Sequence, residues 1–156
     1  MIRVVDADLA DETLVEFLSA HLADMAPTAP AASRHALDVA ALRAPGVRMW
    51  VAQAPDDELL GTVALVPIDG GHDELKSMRT APAARERGVG RALALHALDD
   101  ARARGLTRVS LETGSMAFFA PARALYRAVG FVECDPFGTY RHDPNSVFMT
   151  VELSHV

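Results

Sequence analysis

The chain has 156 residues, half of them apolar, and a formal net charge of −6. That length suits one compact domain over 1–156 with a core of its own, and the acidic balance, with a pI of 5.4, argues against binding nucleic acid or anionic membranes, both of which need a basic face. One cysteine, Cys134, excludes an internal disulfide and suits a reducing compartment, the cytoplasm; residues 1–12 lack an apolar stretch behind a basic start, so no secretory leader is expected, and no apolar run nears the ~18 residues of a membrane helix.

In chain order, residues 1–7 (MIRVVDA) read as a short strand. Asp8 or Asp11 can cap a helix in which Leu14, Phe17, Leu18, His21, Leu22 and Met25 recur at helical spacing. The prolines of 26–32 (APTAPAA) break it, and 33–46 is a short helix capped by Ser33 and ended by Pro45-Gly46. Residues 47–54 and 59–68 flank the polar turn PDDE as a hairpin. A DGG loop at 69–71 leads to a third strand, 74–80 (ELKSMRT). Residues 89–104 form a helix with Leu93, Ala94, Ala97, Leu98 and Ala101 on its buried side and Gly105 as its stop. In the strand 107–113, Val109 and Leu111 face one way, Ser110 and Glu112 the other. Pro121 suits the first turn of a helix reaching Val129, with Ala122, Leu125 and Val129 on its core face and Tyr126 at the margin. Strands at 130–134 and 146–153 close the chain. Hairpins followed by a strand-helix-strand unit make a mixed sheet with helices packed on it, an α/β arrangement.

The densest arginine cluster of this acidic chain, RERGVGRA (85–92), lies between a strand and a helix. The first amides of a helix are unpaired and its dipole adds positive character there. Gly88 and Gly90 let the backbone turn tightly and let an anion come close, and Arg85, Arg87 and Arg91 add forked donors. Together they suit a pyrophosphate-sized anion. Alone, R-x-x-G-x-G fits a solvated helix start equally well. Neither a Walker loop nor a dinucleotide fingerprint is present.

The longer run ELKSMRTAPAARERGVGRAL (74–93) resembles the signature segment of the GNAT superfamily of acetyltransferases. ARALYRAVGF (122–131) looks like that family's second motif, A-x-x-L-Y-x-x-x-G-F, and the order of elements is also the family's. ELKSMRT, SLETGS, PARALY and DPNSVFMT look closer still to the small bacterial YsnE-like members. The resemblance covers about residues 1–153. It implies a mostly antiparallel sheet of six to seven strands flanked by about four helices. It also implies acetyl-CoA as co-substrate, transfer to the primary amine of a small molecule by direct attack through a tetrahedral intermediate, and no metal. The alternative on the same fold is a non-catalytic acyl-CoA sensor. Homodimerisation stays open.

Residue by residue, the resemblance assigns the diphosphate to the segment Arg85, Glu86, Arg87, Gly88, Val89, Gly90 and Arg91. It assigns the pantetheine arm to Met78, Arg79, Thr80, Thr113, Phe119, Ala122 and Tyr126, with the backbone amides of Met78 and Thr80 facing the oxyanion. Many members carry Asn where this chain has Phe119, so that amide contact is absent or supplied by Thr113, Ser115 or a water. Tyr126 matches the tyrosine that points at the cofactor sulfur, a candidate acid for the departing thiolate. Glu74, eleven residues before Arg85, stands where some members carry a catalytic glutamate, a candidate base. Glu112 is a second candidate, or a partner for the acceptor's ammonium. His35 falls in the region that roofs the acceptor site in the family. Tyr140, Arg141, His142 and Asn145 can contact the acceptor or serve as turn chemistry around Pro144. The histidines show no metal-binding spacing, and Cys134 reads as structural.

Overall fold

The computed structural model describes residues 1–25 and 39–153. The proline break at 26–32, Ser33 and His35 lie outside the described residues, as do the side chains of His21, Leu22 and Met25. Strands β1 (Arg3–Asp6), β2 (Arg48–Gln53), β3 (Leu59–Asp69), β4 (His72–Thr80), β5 (Arg108–Gly114), β6 (Val132–Glu133) and β7 (Ser146–Glu152) form one sheet in the order β1-β2-β3-β4-β5-β7-β6. Every neighbouring pair is antiparallel except β4 and β5, which run parallel. The helices are α1 (Glu12–Met25), α2 (Val39–Leu42), α3 (Val89–Ala103) and α4 (Ala120–Ala128).

Both faces of β2 and β3 are covered, which is why their sequences read as near-continuous apolar runs rather than alternating ones. On one face α3 sets Leu93, Ala97, Leu98 and Ala101 against Trp50, Ala52, Val63, Leu65, Leu75, Val109 and Leu111, and α4 joins the same layer through Tyr126. On the other, Leu14 and Leu18 of α1 and Leu42 of α2 cover Met49, Val51 and Ala64. Each fully buried leucine in these layers contributes about 1.5–3 kcal/mol of transfer free energy. Gly61 lets α3 approach: a Cβ there would stand 2.5 Å from the Arg79 carbonyl oxygen and 2.9 Å from Val89 Cγ1.

Local chemistry explains the element ends. Asp11 caps α1, its Oδ1 accepting from the Thr13 amide at 2.9 Å, while Asp8 accepts from Ala10 in the preceding turn at 3.0 Å. Gly105, at φ +80°, ends α3 in the left-handed region. Three expectations are corrected. β4 starts at His72 rather than at residue 74, because Gly71 at φ +81° turns the chain tightly enough to pair Asp69 with His72. β6 keeps only Val132 and Glu133, both exposed on the sheet edge; Cys134 still donates its amide to the Phe148 carbonyl at 2.8 Å. And Tyr126, not at the margin of α4, is its one buried side chain, whereas Ala122, Leu125 and Val129 are half-buried.

Candidate active site

The parallel pair β4–β5 is short. His72, Asp73 and Glu74 pair with Arg108, Val109 and Ser110, and the pairing ends there. A polar chain running from buried His72 and Ser110 to half-buried Thr150 and Arg108 ties this closed end: His72 Nε2 and Ser110 Oγ are 2.7 Å apart, Ser110 Oγ and Thr150 Oγ1 2.8 Å, and Arg108 Nε donates to Thr150 Oγ1 at 2.7 Å. Burial, and then the Arg108 charge, hold His72 below its ordinary value, so the neutral ring is favoured. Beyond Glu74, Ser77 adopts φ +55° and the β3–β4 register shifts between Thr62 and Ala64. The buried Thr62 hydroxyl donates to the Ser77 carbonyl at 2.7 Å and holds this bulge. A bulge bends its strand, and here β4 parts from β5. Ala81 donates its amide to Leu60 of β3 at 2.8 Å, so alternation along the strand turns the amide of Thr80 away from β3. Arg79 pairs with Thr62 and carries its guanidinium 5.6 Å from the Phe17 ring of α1; neither contact is with the glycine loop.

After β4 a 3-10 turn at Pro82–Ala84 leads into the arginine-glycine segment. Glu86 at φ +65° and Gly88 at φ +79° curl the backbone, and Gly88 stands at the N-cap of α3 with no side-chain cap on the helix. Left-handed turns of this kind converge successive N–H groups into an anion-binding concavity. Arg85, Glu86, Arg87, Gly88 and Arg91 are exposed. Val89 is 1% exposed and belongs to the core, so only its backbone faces the loop. A Cβ on Gly90 would lie 2.8 Å from Leu125 Cδ2 and 3.7 Å from Thr80 Oγ1, which makes this glycine the meeting point of α3, α4 and the end of β4.

On α4, Tyr126 is 5% exposed and stands edge-on to Phe131 with ring centroids 5.8 Å apart. Burial, reinforced by the Glu112 charge, pushes its phenol far above the ordinary value, so the hydroxyl keeps its proton. Phe119, at the N-cap of α4, lays its ring on Gly114 at the end of β5; a Cβ there would be 2.0 Å from Phe119 Cδ2. Of the two side chains expected to replace the missing amide, Ser115 is already engaged, donating to the Pro144 carbonyl at 2.7 Å, while Thr113 lies on β5 opposite Val147. Arg123 fixes the intervening loop by donating to the Gly114 and Met116 carbonyls at 2.6 and 3.0 Å.

Glu74, Lys76 and Glu112 project from the face of β4 and β5 opposite α3. The Glu74 side chain is 12% and that of Lys76 11% exposed, so Glu74 is no solvated strand-end charge. Tyr140 donates its hydroxyl proton to Glu74 Oε2 at 2.6 Å, and Lys76 Nζ donates to the same oxygen at 3.3 Å and to Tyr140 Oη at 3.0 Å. Burial and then the bond to Glu74 hold the Tyr140 phenol far above its ordinary value. Ser146 donates to Glu112 Oε2 at 2.7 Å. Asp73, adjacent to Glu74, points to the other face and pairs with Arg104 at 3.0 Å. Burial pushes the Cys134 thiol up, which disfavours a nucleophilic thiolate. Sequence reasoning missed Lys76, Thr62, Ser77 and Ser146. For Lys76 a signal existed, since residues two apart on a strand share a face. Among the described residues no group of three or more His, Cys, Asp and Glu is arranged to hold a metal, and no helix is long and apolar enough to cross a membrane.

An open, mostly antiparallel sheet with one short parallel pair, flanked by helices on both faces, defines the class of fold. The model of the Acetyltransferase (GNAT) family matches residues 9–131. The chain is 45% identical over 146 residues to the uncharacterized N-acetyltransferase YsnE of Bacillus subtilis (strain 168), covering 94% of this chain and 96% of that one. It is 40% identical to the uncharacterized N-acetyltransferase YedL of Escherichia coli (strain K12), covering 98% and 96%. A solved structure of a GNAT-family acetyltransferase from Staphylococcus aureus Mu50 superposes with a TM-score of 0.77 at 17% identity, over 99% of this chain and all of that one, a likeness of fold. This chain belongs to the GNAT family of acetyltransferases, within its YsnE-like group, and is an acyltransferase.

Proposed function

We propose that the chain, acting as one unit over 1–156, transfers the acetyl group of acetyl-CoA to the primary amine of a small molecule. The observation that carries this reading is the gap between β4 and β5, flanked by the uncapped start of α3 on one side and by Tyr126 and the Glu74–Glu112 face on the other. The residues fit the co-substrate. Its diphosphate would lie on the amides of Gly88, Val89, Gly90 and Arg91, with Arg85, Arg87 and Arg91 free to approach from solvent. Its arm would add to the open edge of β4 as an extra strand does. When bound, acetyl-CoA supplies an acyl carbon already activated as a thioester, so the protein needs no covalent intermediate of its own.

The chain's own groups then meet three demands. The amides of Met78 and Thr80 donate to the oxygen that gains charge. The Tyr126 hydroxyl, held protonated by burial, gives its proton to the departing sulfur. Glu74 takes a proton from the amine, directly or through a water, and Glu112 attracts the incoming ammonium from the same face. The acceptor is thus a cation at neutral pH. Thiol release with acetyl-CoA, across polyamines, amino acids, aminosugars and arylalkylamines, tests the reading. Acceptor-dependent turnover that falls at least about tenfold in Glu74→Gln supports it, whereas tight acetyl-CoA binding with no turnover on any amine overturns it.

A further inference from the structure

Tyr140 stands in the segment between β6 and β7, which contains neither helix nor strand, yet its ring is held firmly. Phe137 meets it edge-on at 5.2 Å and Phe148 lies tilted to it at 5.4 Å between centroids, and both of those rings are themselves buried. Lys76 Nζ lies 5.7 Å from its ring centroid. The segment is anchored further by the Tyr140 amide donating to the Phe137 carbonyl at 3.1 Å and by Phe137 packing 5.9 Å from His72. This packing delivers the hydroxyl to a residue 66 positions earlier in the chain, Glu74.

The terminal torsion of a glutamate is broad and roughly two-fold, so an unsupported carboxylate presents either oxygen at many angles. Here two donors end on one oxygen, Oε2: the Tyr140 hydroxyl at 2.6 Å and the Lys76 ammonium at 3.3 Å. Together they restrain that torsion by holding Oε2, and neither donor is spent on Oε1. We propose that Tyr140 is a positioning residue: with Lys76 it clamps Glu74 Oε2 so that Oε1 meets the acceptor's nitrogen. This replaces a direct contact of Tyr140 with the acceptor, and it rests on the reading of Glu74 as the proton acceptor. In the step it serves, an N–H bond of the ammonium breaks, an O–H bond forms at Oε1, and the nitrogen keeps the electron pair for attack. The raised phenol keeps Tyr140 a donor throughout.

The test uses the full-length chain, acetyl-CoA and the best acceptor of the amine panel, with kcat and amine KM measured for wild type, Tyr140→Phe, Glu74→Gln and the double variant. Phenylalanine retains the ring contacts, and thermal unfolding checks that it does. Tyr140→Phe should lower kcat about tenfold or more, since small misplacements of a catalytic group are costly, and leave the amine KM within about twofold. In the Glu74→Gln background the same change should cost nothing further. Losses that multiply in the double variant, or an amine KM that rises with kcat unchanged, would overturn the clamp while leaving Glu74 as base intact. A wild-type kcat in Glu74→Gln would remove the base reading and the clamp with it. Should Tyr140→Phe unfold, Lys76→Met reads the same coupling from the other donor: its kcat loss should vanish in the Glu74→Gln background, and persistence there sinks the proposal.

Discussion

Tyr126 carries its hydroxyl on the one buried position of α4, and that position decides its chemistry. Burial beside a carboxylate keeps this phenol protonated, as the proposed role of proton donor to the departing sulfur requires. Tyr126→Phe is therefore expected to lower kcat about tenfold or more while acetyl-CoA affinity holds nearly constant, a split that steady-state kinetics with equilibrium binding measures. The residue type was legible from its motif. Its burial was not, because the flanking Ala122, Leu125 and Val129 look more apolar, and only contact with Phe131 and the main core shows which side of α4 turns inward. The same holds for Glu74. Its neighbours in sequence, Asp73 and Leu75, point to the other face of the sheet, while its real partners, Lys76 and Tyr140, are reached across the strand face and across a loop.

At the scale of elements, α3 and the segment before it act together. Gly88 supplies the left-handed turn, Gly90 admits Leu125, and the exposed arginines surround amides that no side chain caps. Reversing two charges, Arg85→Glu with Arg87→Glu, should weaken acetyl-CoA binding at low salt, and the difference should shrink as salt screens it; calorimetric affinities at two ionic strengths check this. Gly61 is a second element-level joint. Gly61→Ala would drive a Cβ to within 2.5 Å of the Arg79 carbonyl oxygen, a backbone atom that cannot swing aside. The expected loss of stability is about 1–3 kcal/mol, read from the denaturant midpoint. The glycine loop was plain in the sequence because its chemistry is local: a few consecutive residues contain both the turn and the charge. Gly61 gave no such sign, since its reason is a strand and a helix that arrive from elsewhere.

For the molecule as a whole, pH offers a test of burial. The chain has two tyrosines, Tyr126 and Tyr140, and burial raises both phenols above their ordinary value. In the unfolded chain they ionise near pH ~10. The folded state thus holds more protons than the unfolded one above that point. The corresponding stability is complete below about pH 10 and is lost as pH rises beyond it. Denaturant unfolding at rising pH should show the midpoint falling there, and ultraviolet titration should find phenolate appearing with unfolding rather than before it. Phenolate forming at its ordinary midpoint in a folded protein would contradict the packing of both rings.

What the sequence determined by itself is the order of most elements and the arginine-glycine turn of residues 85–91, because alternation, helical period, caps and glycines act over a few neighbouring residues. What only the tertiary structure decided is the gap and what lines it. Ser77, a non-glycine residue with positive φ and no local mark, bends β4 because Thr62 of the next strand holds its carbonyl. Tyr140 reaches Glu74 because Phe137 and Phe148 pack it there. Pairings between residues far apart in the chain are set by packing and register, and no short stretch of sequence encodes them.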